Sequence, residues 1–229
     1  TNRAFGGMPT YQLSTFYPHD YIKKLDAAIR FLPRPADYLF LYFFSFFILL
    51  LSLKIDWKMA ILGALAFGFS TYLIIILGVG HNAKAHAISY MPLVLAGMVL
   101  VFDKKYLPGF VLTAIALALE IAASHPQMTY YLFFMGLIYG IIMGIDSIRN
   151  KQLPDFLKST GLILLAAILA LGINASSLLA TKEYASESTR SKTELTINPD
   201  GTEREQSTGL TKAYITEYSY GMLETFDLF

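Results

Sequence analysis

Six long apolar stretches constrain this chain more than any other feature of its sequence. Each is close to the length of about 17–25 helical residues that crosses roughly 30 Å of hydrocarbon. Each is apolar around its whole circumference rather than along one stripe, which favours lipid as its surroundings. The sequence therefore predicts an all-α membrane protein with about six transmembrane helices, at Asp37–Leu53, Ala60–Val79, Ala85–Phe102, Leu107–Ala123, Met128–Ile145 and Ser159–Ala180.

Composition agrees with that prediction. The chain is 55% hydrophobic and only 15% charged, and its mean hydropathy is +0.48; soluble domains are nearer about 25% charged. Its 18 basic and 17 acidic residues almost cancel, so the overall charge gives no reason to expect a nucleic-acid partner. Because cysteine is absent, the fold has no disulfide framework and no thiolate metal site. The chain starts at Thr1 and stops at Phe229 without a polar tail, so we expect it to be part of a longer protein.

The loops between the apolar stretches differ sharply in charge. Alternate loops hold seven basic residues, namely Lys54, Lys58, Lys104, Lys105, Arg149, Lys151 and Lys158, whereas the opposite short loops hold only Lys84. Cytoplasmic loops of membrane proteins carry such an excess of basic residues. We therefore expect a multi-pass protein of the cytoplasmic membrane, with its basic loops inside and both ends of this segment outside.

Two polar segments flank the predicted helices 37–180. Segment 1–36 contains an amphipathic run from Asp20 to Leu32, which predicts an interfacial helix with Ile22, Leu25, Ile29 and Leu32 on its apolar face. Lys23, Lys24 and Asp26 are expected on the opposite, polar face. Segment 181–229 is rich in Ser, Thr and Glu, and the turn at residues 198–201 predicts a small hairpin or a mobile loop.

Polar residues cluster where the third predicted helix begins. Within residues 80–86, His81 and Lys84 are i,i+3 neighbours on a helix, and Asn82 and His86 are i,i+4 neighbours. Their donors, together with the positive end of the helix dipole, are suited to binding a phosphate. The alternative is that these residues only occupy a wet membrane boundary.

Glu120 is the second candidate, because it lies inside the fourth predicted helix about one turn from its outer end. A carboxylate in hydrocarbon usually faces the bundle interior and has a partner, for which Lys84, His86 and His125 are candidates. The alternative is a side chain that reaches water. His81 and His86 are five residues apart, which is not the i,i+4 spacing of a zinc pair, so no metal ligands are assigned.

Several phrases of the sequence resemble the YfhO-like family of bacterial membrane proteins. They run in order along most of the chain and are Phe5-Gly-Gly-Met-Pro-Thr-Tyr11, Gly80-His-Asn-Ala-Lys84, Tyr90-Met-Pro-Leu93, Ser124-His-Pro-Gln-Met-Thr-Tyr-Tyr131, Lys182-Glu-Tyr-Ala-Ser-Glu-Ser-Thr-Arg190, Gly209-Leu-Thr-Lys-Ala-Tyr214 and Tyr218-Ser-Tyr-Gly-Met-Leu-Glu-Thr225. Members of that family are longer, so the chain would correspond to an N-terminal part without the first helix.

The resemblance implies a bundle like that of the GT-C glycosyltransferases. Such enzymes transfer a sugar from a polyprenyl-phosphate carrier to an acceptor at the outer membrane face. The resemblance implies an acidic residue in the first outer loop, as a base or as a ligand of Mg²⁺ or Mn²⁺. Asp20 and Asp26 are the candidates in this chain, although the family's acidic position is expected before Thr1.

The remaining roles follow from the same resemblance. His81, Asn82, Lys84 and His86 would hold the carrier phosphate, and Glu120 and His125 would orient the acceptor. Two other functions stay open on the sequence. One is a transporter or flippase, and the other is a non-catalytic membrane subunit that binds a larger complex.

Overall fold

The structure, a computed structural model, describes residues 19–186, 197, 201–203, 212, 216 and 217. It is 82% helical, and the described residues contain no strand, which confirms the all-helical prediction. The helices are α1 Tyr21–Ile29, α2 Ala36–Ser52, α3 Trp57–Gly68, α4 Thr71–Gly78, α5 Asn82–Phe102, α6 Tyr106–Ala122, α7 Pro126–Arg149, α8 Leu153–Ile173 and α9 Ala175–Ser186.

Membrane-spanning length is reached by fewer helices than the sequence predicts. Helices α5, α7 and α8 are each long and apolar enough to cross a bilayer. Helices α3 and α4 pass the same test only as a pair, which is bent by 46°. Helices α2 and α6 are apolar but only 17 residues long. Within the described residues the fold is therefore helical with three candidate spans, or four if the bent pair counts as one.

Two predicted helices end or break where the sequence did not show it. The predicted helix 60–79 is interrupted between α3 and α4, where Ser70 adopts an extended conformation with ψ 142°. The predicted helix 159–180 is divided at Asn174 between α8 and α9, and the Asn174 amide donates to the carbonyl oxygens of Ala170 and Ala118 there. Pro92, in contrast, lies inside α5 without ending it.

Helix α5 is the centre of the bundle and packs against α2, α4, α6, α7 and α8. Within its apolar window 78% of the residues are buried, compared with 11% for α7 and 17% for α8. Helix α6 approaches α5 most closely, since a Cβ at Gly97 would lie 2.6 Å from the backbone nitrogen of Thr113. Small residues permit this kind of close backbone approach between membrane helices. A side chain at the start of α5 therefore belongs to the most buried of the candidate spans.

Charged residues of successive connections meet at one end of the bundle. Lys54, which follows α2, pairs with Asp103 between α5 and α6 at 2.7 Å. Lys104 pairs with Asp155 in the first turn of α8 at 2.6 Å. We call these two pairs the basic end. Helices α2 and α5 both begin at the opposite end, and the site described below is there.

Residues 16–175 form one compact unit, and residues 1–15 with 176–229 form another. In the second unit, Ile197 and Glu203 make an isolated antiparallel bridge, and Gly201 takes the left-handed φ of 83° that favours glycine. The predicted turn residues 198–200 lie outside the described residues. The predicted division into segments 1–36, 37–180 and 181–229 stays a prediction.

Candidate functional site

Asp26 is buried against the bundle. It follows Ile22 by four residues on α1, so both side chains are on the helix face that packs inward, and they are 6% and 8% exposed. The prediction that Asp26 belongs to the polar, outward face of this helix was wrong. Leu25, expected on the apolar face, is instead 39% exposed. The inward face of α1 thus carries an acid among apolar residues.

Three side chains donate hydrogen bonds to the carboxylate of Asp26. Its Oδ1 lies 2.6 Å from Nε2 of His86 and accepts from the Tyr90 hydroxyl at 2.7 Å. Its Oδ2 accepts two bonds from the Arg30 guanidinium, from Nε at 3.0 Å and from Nη2 at 2.6 Å. Since His86 and Tyr90 are four residues apart, the first turns of α5 and helix α1 meet at this one carboxylate.

Arg30 also connects Asp26 to a second buried acid. Its Nη1 donates to Oδ2 of Asp37 at 3.0 Å, and Oδ1 of Asp37 accepts from the backbone N–H of Tyr38 at 2.9 Å. The guanidinium lies 5.5 Å from the centroid of the Tyr38 ring, within cation–π range. We call Asp26, Arg30, Asp37, His86 and Tyr90 the aspartate cluster. It joins α1, α2 and α5 through charged hydrogen bonds.

The electrostatics of the cluster keep Asp26 ionised. Burial by itself would raise the pKa of Asp26, but the hydrogen bonds from His86 and Arg30 outweigh it and hold that pKa well below its usual range. Burial would likewise lower the pKa of Arg30, and the two aspartates raise it above its usual value. Both groups are on or next to α1, which is not a candidate span. An acid held in this state is suited to fixing its neighbours in place rather than to accepting a proton.

The predicted phosphate-binding residues are divided by the structure. His81 and Asn82 are exposed at the start of α5, and Lys84 is half-buried with its Nζ 5.1 Å above the ring of Tyr72. His86 is buried and bonded to Asp26. His81, Asn82 and Lys84 therefore share the outer turn of α5, whereas His86 belongs to the aspartate cluster.

The remaining predicted catalytic residues are not brought together with that turn. Asp20 is the N-cap of α1, where its Oδ1 accepts the backbone N–H of Lys23 at 3.1 Å and its Oδ2 is 3.5 Å from Nζ of the same residue. His125 is the N-cap residue of α7, and its Nδ1 is buried with no hydrogen-bond partner among the described residues. The Asp20 side chain therefore caps α1, whereas the His125 side chain makes no capping bond to α7.

Glu120 is fully enclosed, with 0% of its surface exposed, so the alternative that it reaches water was wrong. Its partner is Thr129 on α7, whose Oγ1 is 3.1 Å from Oε1 and 3.0 Å from Oε2. None of the expected partners Lys84, His86 and His125 forms an ion pair with it within the described part of the chain. The acid is therefore held by a hydroxyl and not by a cation.

A divalent cation does not fit the part of the chain that the structure describes. No three His, Asp or Glu side chains there come together in a way that could hold a metal ion. Both oxygens of Asp26 already accept hydrogen bonds, which leaves that carboxylate poorly placed for a hard cation such as Mg²⁺ or Mn²⁺. The aspartate cluster is therefore suited to joining helices through ion pairs and not to binding a metal ion.

Comparison of the chain with protein-family models, curated proteins and solved structures gives no match. The resemblance to the YfhO-like family consequently stays a prediction from the sequence.

Proposed function

We propose that this protein takes part in glycosyl transfer at the outer face of a bacterial cytoplasmic membrane, with a polyprenyl-phosphate-linked sugar as donor. The observation that carries the proposal is the outer turn of α5. There His81, Asn82 and Lys84 are accessible, and the N-cap residue His81 makes no side-chain capping bond that would occupy the backbone N–H groups. The N–H of Asn82 donates to the carbonyl oxygen of Gly80 at 2.8 Å, so a phosphate would be attracted by the next N–H groups of the first turn and by the helix dipole.

The aspartate cluster supports this role because it holds the start of α5 in place. It anchors the first turns of α5 to α1 and α2 through His86 and Tyr90, which lie one and two turns after the exposed residues. Donors that are fixed before the reaction stabilise developing negative charge more effectively than mobile ones. In the proposed mechanism Lys84 and His81 neutralise the leaving phosphate, and the cluster keeps them aligned.

A carboxylate is also needed to deprotonate the acceptor hydroxyl. Among Asp20, Asp26 and Glu120, we favour Asp20, because it is only half-buried, while Glu120 is enclosed and Asp26 is saturated with donors. His125, at the start of α7, is then a group that orients the acceptor.

The proposal includes an orientation. All four buried acids and histidines of the described residues, Asp26, Asp37, His86 and Glu120, lie towards the end opposite the basic end. With the basic end in the cytoplasm, as the excess of lysine there favours, these residues are at the outer face. The shorter helices α2 and α6 then complete six spans together with α5, α7, α8 and the bent pair α3–α4.

The same distribution disfavours a transporter. Towards the basic end, the buried polar side chains that have partners are hydroxyls bonded to backbone carbonyls, as Thr113 is to Gly109 and Ser159 is to Val101. A proton or ion path across the bilayer needs ionisable or strongly polar groups in both halves. The buried ionisable residues described here occupy one half.

A pair of lysines provides the test. Lys84 lies over Tyr72 at 5.1 Å and Lys158 lies over Tyr106 at 3.9 Å, so both make the same cation–π contact on different helices. In membranes that contain the protein, we expect Lys84→Ala to lower sugar transfer from polyprenyl-phosphate hexoses by about 100-fold or more. Lys158→Ala should leave the rate near that of the wild type. Equal rates in the two variants, or no transfer by the wild type, would overturn the proposal.

A non-catalytic membrane subunit is the second candidate, and the wide uncovered surface of α7 favours it. Only 11% of the apolar window of α7 is buried, and Ile138 on it is 58% exposed. A photo-crosslinking residue at position 138 distinguishes the two functions. A subunit should be trapped with another membrane protein at this position, whereas an independent enzyme should be trapped with lipid.

A further inference from the structure

Glu120 differs from every other buried acid that the structure describes. Asp26 and Asp37 both pair with Arg30, but Glu120 has no ion pair among the described residues and is 0% exposed. An ionised carboxylate in such a place costs several kcal/mol, because neither water nor a cation compensates its charge.

The contact with Thr129 resolves the difficulty. Its Oγ1 is nearly equidistant from the two carboxyl oxygens, at 3.1 Å and 3.0 Å. A hydroxyl has a single hydrogen, so next to an ionised carboxylate it can at most share that hydrogen between the two oxygens in a weaker, bifurcated bond. A protonated acid, in contrast, makes a full hydrogen bond at each of the two distances. The hydroxyl of Thr129 donates to the carbonyl oxygen, and the acid O–H donates back to Oγ1.

We propose that Glu120 is a proton-binding site, occupied at neutral pH as a carboxylic acid that is paired reciprocally with Thr129. Among the described residues, no other ionisable group at this end of the bundle is bonded to Glu120. Asp26 on α1 is bonded to His86 and Tyr90 on α5, and no bond joins His125 on α7 to Glu120. The inference is independent of sugar transfer.

A buried, protonated carboxyl group is also a modification site for apolar carbodiimides. The acid O–H adds across one C=N bond of the reagent, so the carboxyl oxygen bonds to the central carbon and the proton goes to nitrogen. The acyl group then moves from that oxygen to nitrogen and gives a stable N-acylurea, with no leaving group. An ionised acid lacks the proton that this addition needs, and on a solvated acid water hydrolyses the O-acylisourea before the acyl group moves to nitrogen. Glu120 becomes reachable when the packing opens locally.

Infrared spectroscopy of the protein in bilayers at neutral pH tests the protonation state. We expect a C=O stretching band of a protonated carboxyl group that disappears in Glu120→Gln and is kept in Asp26→Asn. Thr129→Val should shift the band, because the carbonyl oxygen loses its donor. Absence of the band from the wild type overturns the proposal, and persistence of the band in Glu120→Gln overturns its assignment.

Labelling with N,N′-dicyclohexylcarbodiimide locates the acid independently. Peptide mass spectrometry should find the N-acylurea on Glu120 and not on Asp26 or Asp37, which are held ionised by Arg30. The Glu120→Gln variant should lose the adduct. An adduct on another acid in place of Glu120, or no adduct at all, overturns Glu120 as the modification site. Sugar transfer is not measured in either experiment, so their outcome is separate from that of the proposed function.

Discussion

The two ends of the helical bundle hold their charges in different ways. At the basic end the side chains of Lys54 and Asp103 are 72% and 31% exposed, although their charged atoms are 2.7 Å apart. In the aspartate cluster Arg30 and Asp26 are only 16% and 9% exposed at a similar distance of 2.6 Å. Distance alone therefore does not separate the two ends. The two ends differ in solvent access. If an ion pair were broken, water could solvate the remaining charge at the basic end but not in the aspartate cluster.

Because of this difference in exposure, the ion pairs at the two ends contribute different amounts to the stability of the fold. An exposed pair contributes about 0–1 kcal/mol, since water solvates each partner almost as well as the other partner does. Breaking a buried pair leaves a charge that water does not reach, which costs about 3–5 kcal/mol. We therefore infer that the aspartate cluster fixes α1 to α2 and α5, whereas the basic end contributes charge and little stability.

Arg30→Met gives the largest effect that this comparison predicts. Methionine keeps the apolar stem of the side chain but removes the only described cation between Asp26 and Asp37. We expect a loss of about 3–5 kcal/mol, measured as a lower midpoint of thermal unfolding in detergent. Arg34→Met is the matched control, because Arg34 is exposed and lies at the same 5.5 Å from the Tyr38 ring, but forms no ion pair with Asp26 or Asp37.

A second substitution tests whether the loss of stability in Arg30→Met comes from the buried aspartates. Asp26→Asn, introduced into the Arg30→Met variant, removes one of the two charges that Arg30 had paired and should restore part of the lost stability. If Arg30→Met is as stable as Arg34→Met, the guanidinium does not compensate the two buried aspartates and the comparison between the ends fails.

Individual helices show how much of the fold the sequence predicts. Hydropathy places α5 and α7 within four residues of their observed ends, because long apolar helices produce a signal that no other element produces. It misses the break at Ser70, since the residues on both sides of that bend are equally apolar and the window average does not change. It misses the end of α8 at Ile173 because the bond from Asn174 to Ala118 joins residues 56 positions apart.

The candidate site is harder to predict for the same reason. Ile22, Asp26 and Arg30 follow one another at i,i+4 spacing, so the sequence contains a signal that Asp26 shares a helix face with a buried apolar residue. The contacts of Asp26 with His86 and Tyr90 span 60 and 64 residues and depend on how α1 packs on α5. The sequence of α1 alone therefore predicts Asp26 on the polar face of the helix, because these distant partners cannot be read from it.

Acidification should weaken the aspartate cluster by a smaller and graded amount. The pKa of Asp26 is lowered in the folded protein from its ordinary value of 3.8, mainly by hydrogen bonds from His86 and Arg30 that outweigh the effect of burial. Stability from this group is therefore present above about pH 4 and is lost as the pH falls towards the folded pKa, by at most about 1.4 kcal/mol per pH unit.

A comparison of two titrations isolates that contribution. Wild type and Asp26→Asn should differ in their unfolding midpoints at neutral pH, and the two curves should approach each other below about pH 4. A difference that stays constant down to about pH 3 would mean that the carboxylate of Asp26 does not titrate with unfolding.

Lys54→Met should have the smallest effect on stability, and it tests most directly whether burial or distance sets the strength of an ion pair. It removes the cation from a pair as short as those of Arg30, so distance is matched while burial is not. We expect a loss below about 1 kcal/mol, which added salt reduces further because exposed charges are screened within about 8–10 Å. The loss from Arg30→Met should change little with salt, since its partners are buried. If Lys54→Met destabilised the protein as much as Arg30→Met does, pairing itself rather than exclusion of water would set the strength of both ends.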